Sequence, residues 1–239
     1  MRANNAVKNV VLVHGPFADG SIWRKVISRL QEGGYYVTAV QLPLTSLKED
    51  VAITRHIVSM QHGSVILVGH SYGGAVITEA GDEANVAGLV YIAAFAPDEG
   101  ETLGDLIHRY ATAPGFGHLR TDDHGFTWIV TEAFPQYFAG DIPDAEARVL
   151  AAVQHPWKVP GNRIVQPSWR SKPSWFQISE DDLMINPDLQ RFLSQRMGAK
   201  TTSLVSSHAA MVSHPEETAQ CIIEAAQSAQ TKKSTRRTP

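Results

Sequence analysis

The chain has 239 residues, 43% of them hydrophobic and 19% charged, with a formal charge of −3. A chain of this length makes one or two domains and buries about 70–75% of its unfolded-state surface, so it needs no staples to fold. The single cysteine, Cys221, excludes an intrachain disulfide framework and fits a reducing, cytoplasmic compartment. The charge is uneven. The last nine residues hold Lys232, Lys233, Arg236 and Arg237 and no acid, which leaves an acidic body of charge −7 and a tail expected to be disordered. An acidic body argues against nucleic acid as a partner. The apolar run at 10–13 is too short for a signal peptide, and the run at 86–96 is too short to span a bilayer, so no membrane partner is expected.

Short apolar runs alternate with helical spacing along the chain. Residues 10–13 form a β-branched run ended by His14-Gly15-Pro16, the pattern of a buried strand. Ile22, Trp23, Val26, Ile27 and Leu30 then recur at three- and four-residue steps, with Asp19 able to cap the helix and Gly33-Gly34 able to end it. Residues 35–40 read as a second strand. Ser46-Leu47-Lys48-Glu49 has capping-box spacing and opens a second helix. A strand at 64–68, a helix at about 72–80 and a strand at 86–94 follow.

From Asp98 to Pro173 the rhythm breaks. This stretch shows no clear strand and one helical segment, 144–153, among many aromatics. The rhythm resumes with a strand at 174–179, a helix at 187–197 and a strand at 200–205. A last helix starts at Pro215-Glu216-Glu217, with proline in its first turn and acids at its positive end. No internal repeat is present. Strands joined by helices imply an α/β fold with a mostly parallel sheet of about six strands and helices on both faces. Residues 1–97 and 174–230 make its core, 98–173 an insertion placed to cap a pocket, and 231–239 the basic tail. Chemistry in such sheets sits outside the carboxyl ends of the strands.

Gly69-His70-Ser71-Tyr72-Gly73 follows the third strand and precedes a helix, which fits the Gly-x-Ser-x-Gly nucleophile elbow. The tight turn would expose the Ser71 hydroxyl and aim the Tyr72 N–H at a developing oxyanion. The serine needs a base. Among ten histidines, His208 stands in the loop after the last strand, on the same edge as Ser71; His214, just before Pro215, belongs to the start of the last helix. His118 and His124 near Asp122 and Asp123 match no metal-binding spacing, so no metal or cofactor is expected. The base needs an orienting acid, and the strand at 174–179 ends in Glu180-Asp181-Asp182. Asp182 is the choice, with Asp181 and Glu180 as alternatives. His14 reads as a brace for its loop.

These pieces together resemble the α/β-hydrolase superfamily, and more closely its branch of plant methyl esterases, hydroxynitrile lyases and small bacterial esterases. The resemblance rests on Val11-Leu12-Val13-His14-Gly15 with Trp23, on Gly69 through Gly74, on 179–187, and on Ser207-His208-Ala209-Ala210-Met211. It implies an acid five residues before a helix-starting proline, the place of Asp182 before Pro187. It also implies that the insertion is a helical cap lining an acyl pocket, with walls from Pro16, Phe95, Trp128, Phe134, Tyr137 and Met211. Two departures stand out. The relatives take an oxyanion donor from the second residue after the loop histidine, which here is Pro16 and has no N–H; Phe17 or a water is expected in its place. The lyases carry a lysine after the catalytic histidine and a threonine at the position of Gly15, whereas this chain has Ala209 and Gly15. Hydrolysis of a small ester or lactone is therefore expected through a Ser71 acyl-enzyme. A lyase or carbon–carbon bond cleaving enzyme with the same triad, or a slow-turnover ligand receptor, is the alternative. Oligomeric state is not legible, and a homodimer stays open.

Overall fold

The computed structural model describes residues 7–235. The first half builds β1 (Asn9–Val13), α1 (Arg24–Glu32), β2 (Tyr36–Ala39), α2 (Leu47–Ser59), β3 (Val65–His70), α3 (Gly73–Ala80) and β4 (Val86–Ile92). The insertion holds α4 (Leu103–Ile107), β5 (Leu119–Thr121), β6 (Phe126–Ile129), α5 (Phe134–Phe138), α6 (Asp144–Ala152) and β7 (Trp157–Lys158). The chain then returns through β8 (Ser174–Ser179), α7 (Pro187–Arg196), β9 (Lys200–Leu204), α8 (Ala210–Ser213) and α9 (Pro215–Thr235).

Six strands form one parallel sheet in the order β2-β1-β3-β4-β8-β9. β3 is buried along its whole length, because neighbouring strands and helices cover both its edges and its faces. The chain runs outward from β1 to β2 on one side and from β3 to β4 on the other. Loops leaving the carboxyl ends of β1 and β3 therefore diverge, and such a switch point opens a crevice at that edge. Pro16 and Phe17 leave β1 there, and Ser71 leaves β3.

The caps read from sequence form. Asp19 accepts from the Ser21 N–H at 2.7 Å, ahead of a 3-10 turn that leads into α1. Ser46 accepts from the Glu49 N–H at 3.2 Å at the head of α2.

The insertion differs from a purely helical cap. β5, β6 and β7 pair as a three-stranded antiparallel sheet. Their strands have two to four residues each, too few for an alternation to show. What makes the β5–β6 hairpin is its turn. The Asp122 carboxylate accepts from the N–H groups of His124 and Phe126, and Gly125 takes φ +83°. The Asp122 carboxylate is thus used in shaping a turn. The two stems of the insertion are tied together, since the Trp169 indole donates to the Pro97 carbonyl at 3.0 Å. Arg196 on α7 donates to the Ala96 carbonyl and pairs with Glu101, both at 2.7 Å.

The expected basic tail begins within α9. α9 runs on through 231–235. Residues 236–239 of that expectation lie outside the described residues. Among the described residues no helix is long and apolar enough to cross a membrane.

α3 packs so closely on the strand ends that Gly74 admits no side chain: a Cβ there would stand 2.2 Å from the Phe95 carbonyl oxygen. Gly74→Ala should cost about 2 kcal/mol by forcing that approach apart, lowering Tm by roughly 4–8 °C. A thermal melt followed by circular dichroism checks this, and an unchanged Tm would contradict the packing.

Candidate active site

Ser71 sits where β3 turns into α3, with φ at +55°. A left-handed serine is strained, by roughly 1–2 kcal/mol. Its neighbours hold it there. The Ser71 carbonyl accepts from the N–H groups of Gly74 and Phe95, both at 3.0 Å, and the Ser71 N–H donates to Ile92 at 3.2 Å. Cβ atoms on Gly69 or Gly73 would come within 2.5 Å of backbone atoms, so the elbow closes only with glycine at both flanks. The Tyr72 N–H stands just before α3 and has no acceptor among the described residues.

Asp182 and His208 reach the same edge from the loops after β8 and β9. His208 Nδ1 lies 2.8 Å from Asp182 Oδ2, and both residues are buried. Asp182 spends its other capacity locally. Its Oδ1 accepts from the N–H groups of Met184 at 2.7 Å and Ile185 at 2.9 Å, and its Oδ2 accepts from the Gln190 amide at 2.8 Å. An acceptor so supplied is held in one orientation beside His208. It fixes the proton on His208 Nδ1, leaving Nε2 as the basic nitrogen. The alternatives face elsewhere: Asp181 is exposed, and Glu180 is paired with Arg191. His214 belongs to another group, with its Nε2 3.8 Å from Asp141.

Two further histidines brace this edge. Leu42 donates its N–H to His14 Nε2 at 3.0 Å, so His14 carries its proton on Nδ1 and donates it to the Gly15 carbonyl at 2.7 Å. Burial pushes its pKa down to about 4. His70 donates from Nε2 to the His208 carbonyl at 2.9 Å, and its ring lies 4.5 Å from the His208 ring. Burial, then the neighbouring His208, hold His70 well below the usual histidine range. Sequence alone offers only a local bond for His70; the contact in fact spans 138 residues.

Ser71, Tyr72 and His208 line one narrow cavity with Pro16, Phe17, Phe95, Ile107, Phe116, Trp157, Met184 and Ile185. No Lys, Arg, Asp or Glu is among these walls. The cavity measures about 20 Å³, room for about one water. Roomier hollows of about 500 Å³ and 490 Å³ lie elsewhere, one walled by Asp141, Asp181 and Ser207 and one by Thr202, Glu217 and Cys221. Of the walls expected from sequence, Pro16 and Phe95 are present. Trp128, Phe134, Tyr137 and Met211 are not. Phe134 stacks on Phe138 at 4.6 Å and Tyr137 on His118 at 4.1 Å, so these rings are used to build the insertion. Trp128 sits in β6, and Met211 is core in α8. Sequence reasoning missed Ile107, Met184, Ile185 and Gln190. Met184 and Ile185 had a signal, being two and three residues past the acid.

Phe17 also departs from expectation as an oxyanion donor. It lines the cavity with φ +63°, but its N–H donates to the His155 carbonyl at 3.1 Å. A donor already engaged cannot meet an oxyanion until His155 withdraws.

The model of the alpha/beta hydrolase family matches residues 10–221. The chain belongs to that family. It is 35% identical over 113 residues to a carbendazim hydrolyzing esterase of Nocardioides sp., covering 41% of this chain and 47% of that one. It is 36% identical over 110 residues to methylesterase 7 of Arabidopsis thaliana, covering 39% and 42%. These matches span less than half the length of either relative. The fold match is fuller: a crystal structure of a pyrethroid hydrolase from Sphingobium faniae aligns with TM-score 0.81 at 24% identity, over 92% of this chain and 98% of that one. The likeness to the plant methyl esterase branch of the α/β hydrolases therefore holds.

The buried histidines make this chain sensitive to acid. His14 is neutral when folded and takes a proton near pH 6.5 when unfolded. The unfolded state therefore binds more protons as pH falls from about 6.5 towards about 4, and stability falls with it. His14 should account for a loss of about 2–3 kcal/mol between pH 7 and 4.5, with His70 acting in the same direction. Urea unfolding at the two pH values measures it; a midpoint that does not move, or a fall no smaller in His14→Gln, would contradict a neutral buried His14.

Proposed function

We propose that this chain is a serine hydrolase of carboxylesterase type, cleaving a neutral ester or lactone with an apolar acyl part through an acyl-enzyme. One observation carries the proposal: a strained Ser71 shares an uncharged cavity with His208, whose Nδ1 is held by a buried Asp182. The esterase names of the relatives support the reaction class.

In this mechanism Ser71 Oγ attacks the ester carbonyl while His208 Nε2 takes its proton. Asp182 holds the imidazole in the tautomer that can accept, and stabilises the imidazolium. The carbonyl oxygen becomes an oxyanion facing the Tyr72 N–H. Collapse expels the alcohol oxygen, which takes the proton from His208. Water then gives its proton to His208, attacks the acyl carbon and releases the acid with Ser71 restored. Substrate entry displaces wall side chains such as Met184 and Phe116, because the cavity is too small for an ester as it stands. The uncharged walls favour a neutral substrate, since a charged group there would lose its water without gaining a partner. A cyanohydrin lyase would want a cation near the leaving cyanide, and the residue after His208 is the buried Ala209.

Ser71→Ala should lower kcat for p-nitrophenyl acetate by up to about 10⁶; turnover close to wild type would contradict an acyl-enzyme on that oxygen. Pro16→Ala should raise kcat on the order of tenfold or more, by supplying a second N–H to the oxyanion. An unchanged kcat would mean that position 16 does not face it.

A further inference from the structure

The mechanism leaves unused a buried acid beside the oxyanion donor. Asp50 is fully buried in the first turns of α2, behind the Ser46 cap. α2 buries Leu47, Val51, Thr54 and Val58, so Asp50 stands on the apolar face of an otherwise ordinary amphipathic helix. A carboxyl group in that place is costly unless it is bonded. Asp50 Oδ2 accepts the Tyr72 hydroxyl at 2.6 Å, and Oδ1 accepts the Leu44 N–H at 2.9 Å.

Tyr72 lines the catalytic cavity, and Leu44 is bonded to the strand that carries its wall residue Trp157. Tyr72 is the residue after Ser71, and its ring lies 5.2 Å from the Trp157 ring. Leu44 is one of four non-glycine residues with positive φ among the described residues, at +57°, and two of the others are Phe17 and Ser71. Its carbonyl accepts from the Lys158 N–H at 2.9 Å, in the strand that carries Trp157. Asp50 thus holds at once the side chain of the oxyanion donor and the strained turn on which that strand hangs. Burial pushes the Asp50 carboxyl up, and burial with the nearby Asp50 pushes the Tyr72 phenol up, so the phenol keeps its proton and the bond persists.

We infer that Asp50 is a positioning residue for the oxyanion hole, anchoring the Tyr72 hydroxyl so that the Tyr72 N–H stays aimed at the ester oxygen. The aim matters because α3 begins directly after Tyr72, and a small turn of that peptide moves a donor whose counterpart at Pro16 is missing. Misplacing such a group by about 1 Å can cost up to 10²-fold in rate. The inference rests on the ester-hydrolase reading above.

The test is a double-mutant cycle of Tyr72→Phe, Asp50→Asn and the pair, read with an alkyl trifluoromethyl ketone. Ser71 Oγ adds to the ketone carbon, the Oγ proton passes to His208, and the ketone oxygen becomes an oxyanion with no group leaving. Each single variant should weaken ketone inhibition and lower kcat for p-nitrophenyl acetate about tenfold, with KM within about twofold. The double variant should be no worse than either single one, because both remove the same bond. If Asp50→Asn does not fold, Tyr72→Phe alone decides by the same readings. A lower Tm with unchanged ketone affinity and kcat would overturn the inference, leaving Asp50 a structural residue. Additive losses would overturn it too. A wild-type protein that neither turns over the ester nor binds the ketone would sink the hydrolase reading and this inference together.

Discussion

Everything at the active edge depends on a serine held at a φ that serines avoid. Ser71 can stay at +55° only because Gly69, Gly73 and Gly74 let α3 close onto β1 and the strand ends without a Cβ between them. The contact is mutual: a Cβ on Gly15, in the loop after β1, would meet the Ser71 Cβ at 2.7 Å. A parallel sheet with a switch point between β1 and β3 brings these loops to one crevice, and β8 and β9 deliver Asp182 and His208 to the same edge. The fold's large buried core thus stabilises a small strained turn, and the strain sets the hydroxyl outward.

The polar groups behind the site form a connected frame. Asp182 accepts four hydrogen bonds and so arrives fixed at His208. Gln190, which supplies one of them, also accepts from Ser179 and donates to Ile185, locking the acid loop to α7. On the far side, His70 ties the elbow to the backbone of His208, and His14 ties the β1 loop to Leu42. Low dielectric strengthens such bonds and raises the cost of breaking any one of them. Catalysis by prearranged groups needs this stiffness.

Much of this was legible in local sequence. The elbow announces itself because a strand, two glycines and a helix surround Ser71 within a dozen residues. Asp182 and His208 are legible because each directly follows a strand. Tertiary contacts hid the rest. The N–H of Phe17 is spent on His155, 138 residues away, and no local pattern encodes that bond. The aromatics of the insertion resemble pocket walls by composition, yet Phe134 and Phe138 pack on each other. The bond from Tyr72 to Asp50 likewise crosses the fold, so no local pattern marks it.

The central claim is that Ser71 is an activated nucleophile. A fluorophosphonate tests it directly, because it reacts with an activated serine and stays attached. Treating the folded protein with a fluorophosphonate and mapping the adduct by peptide mass spectrometry should place one label on Ser71, and His208→Ala should abolish it. A label elsewhere, or none on the folded wild-type protein, would contradict the account.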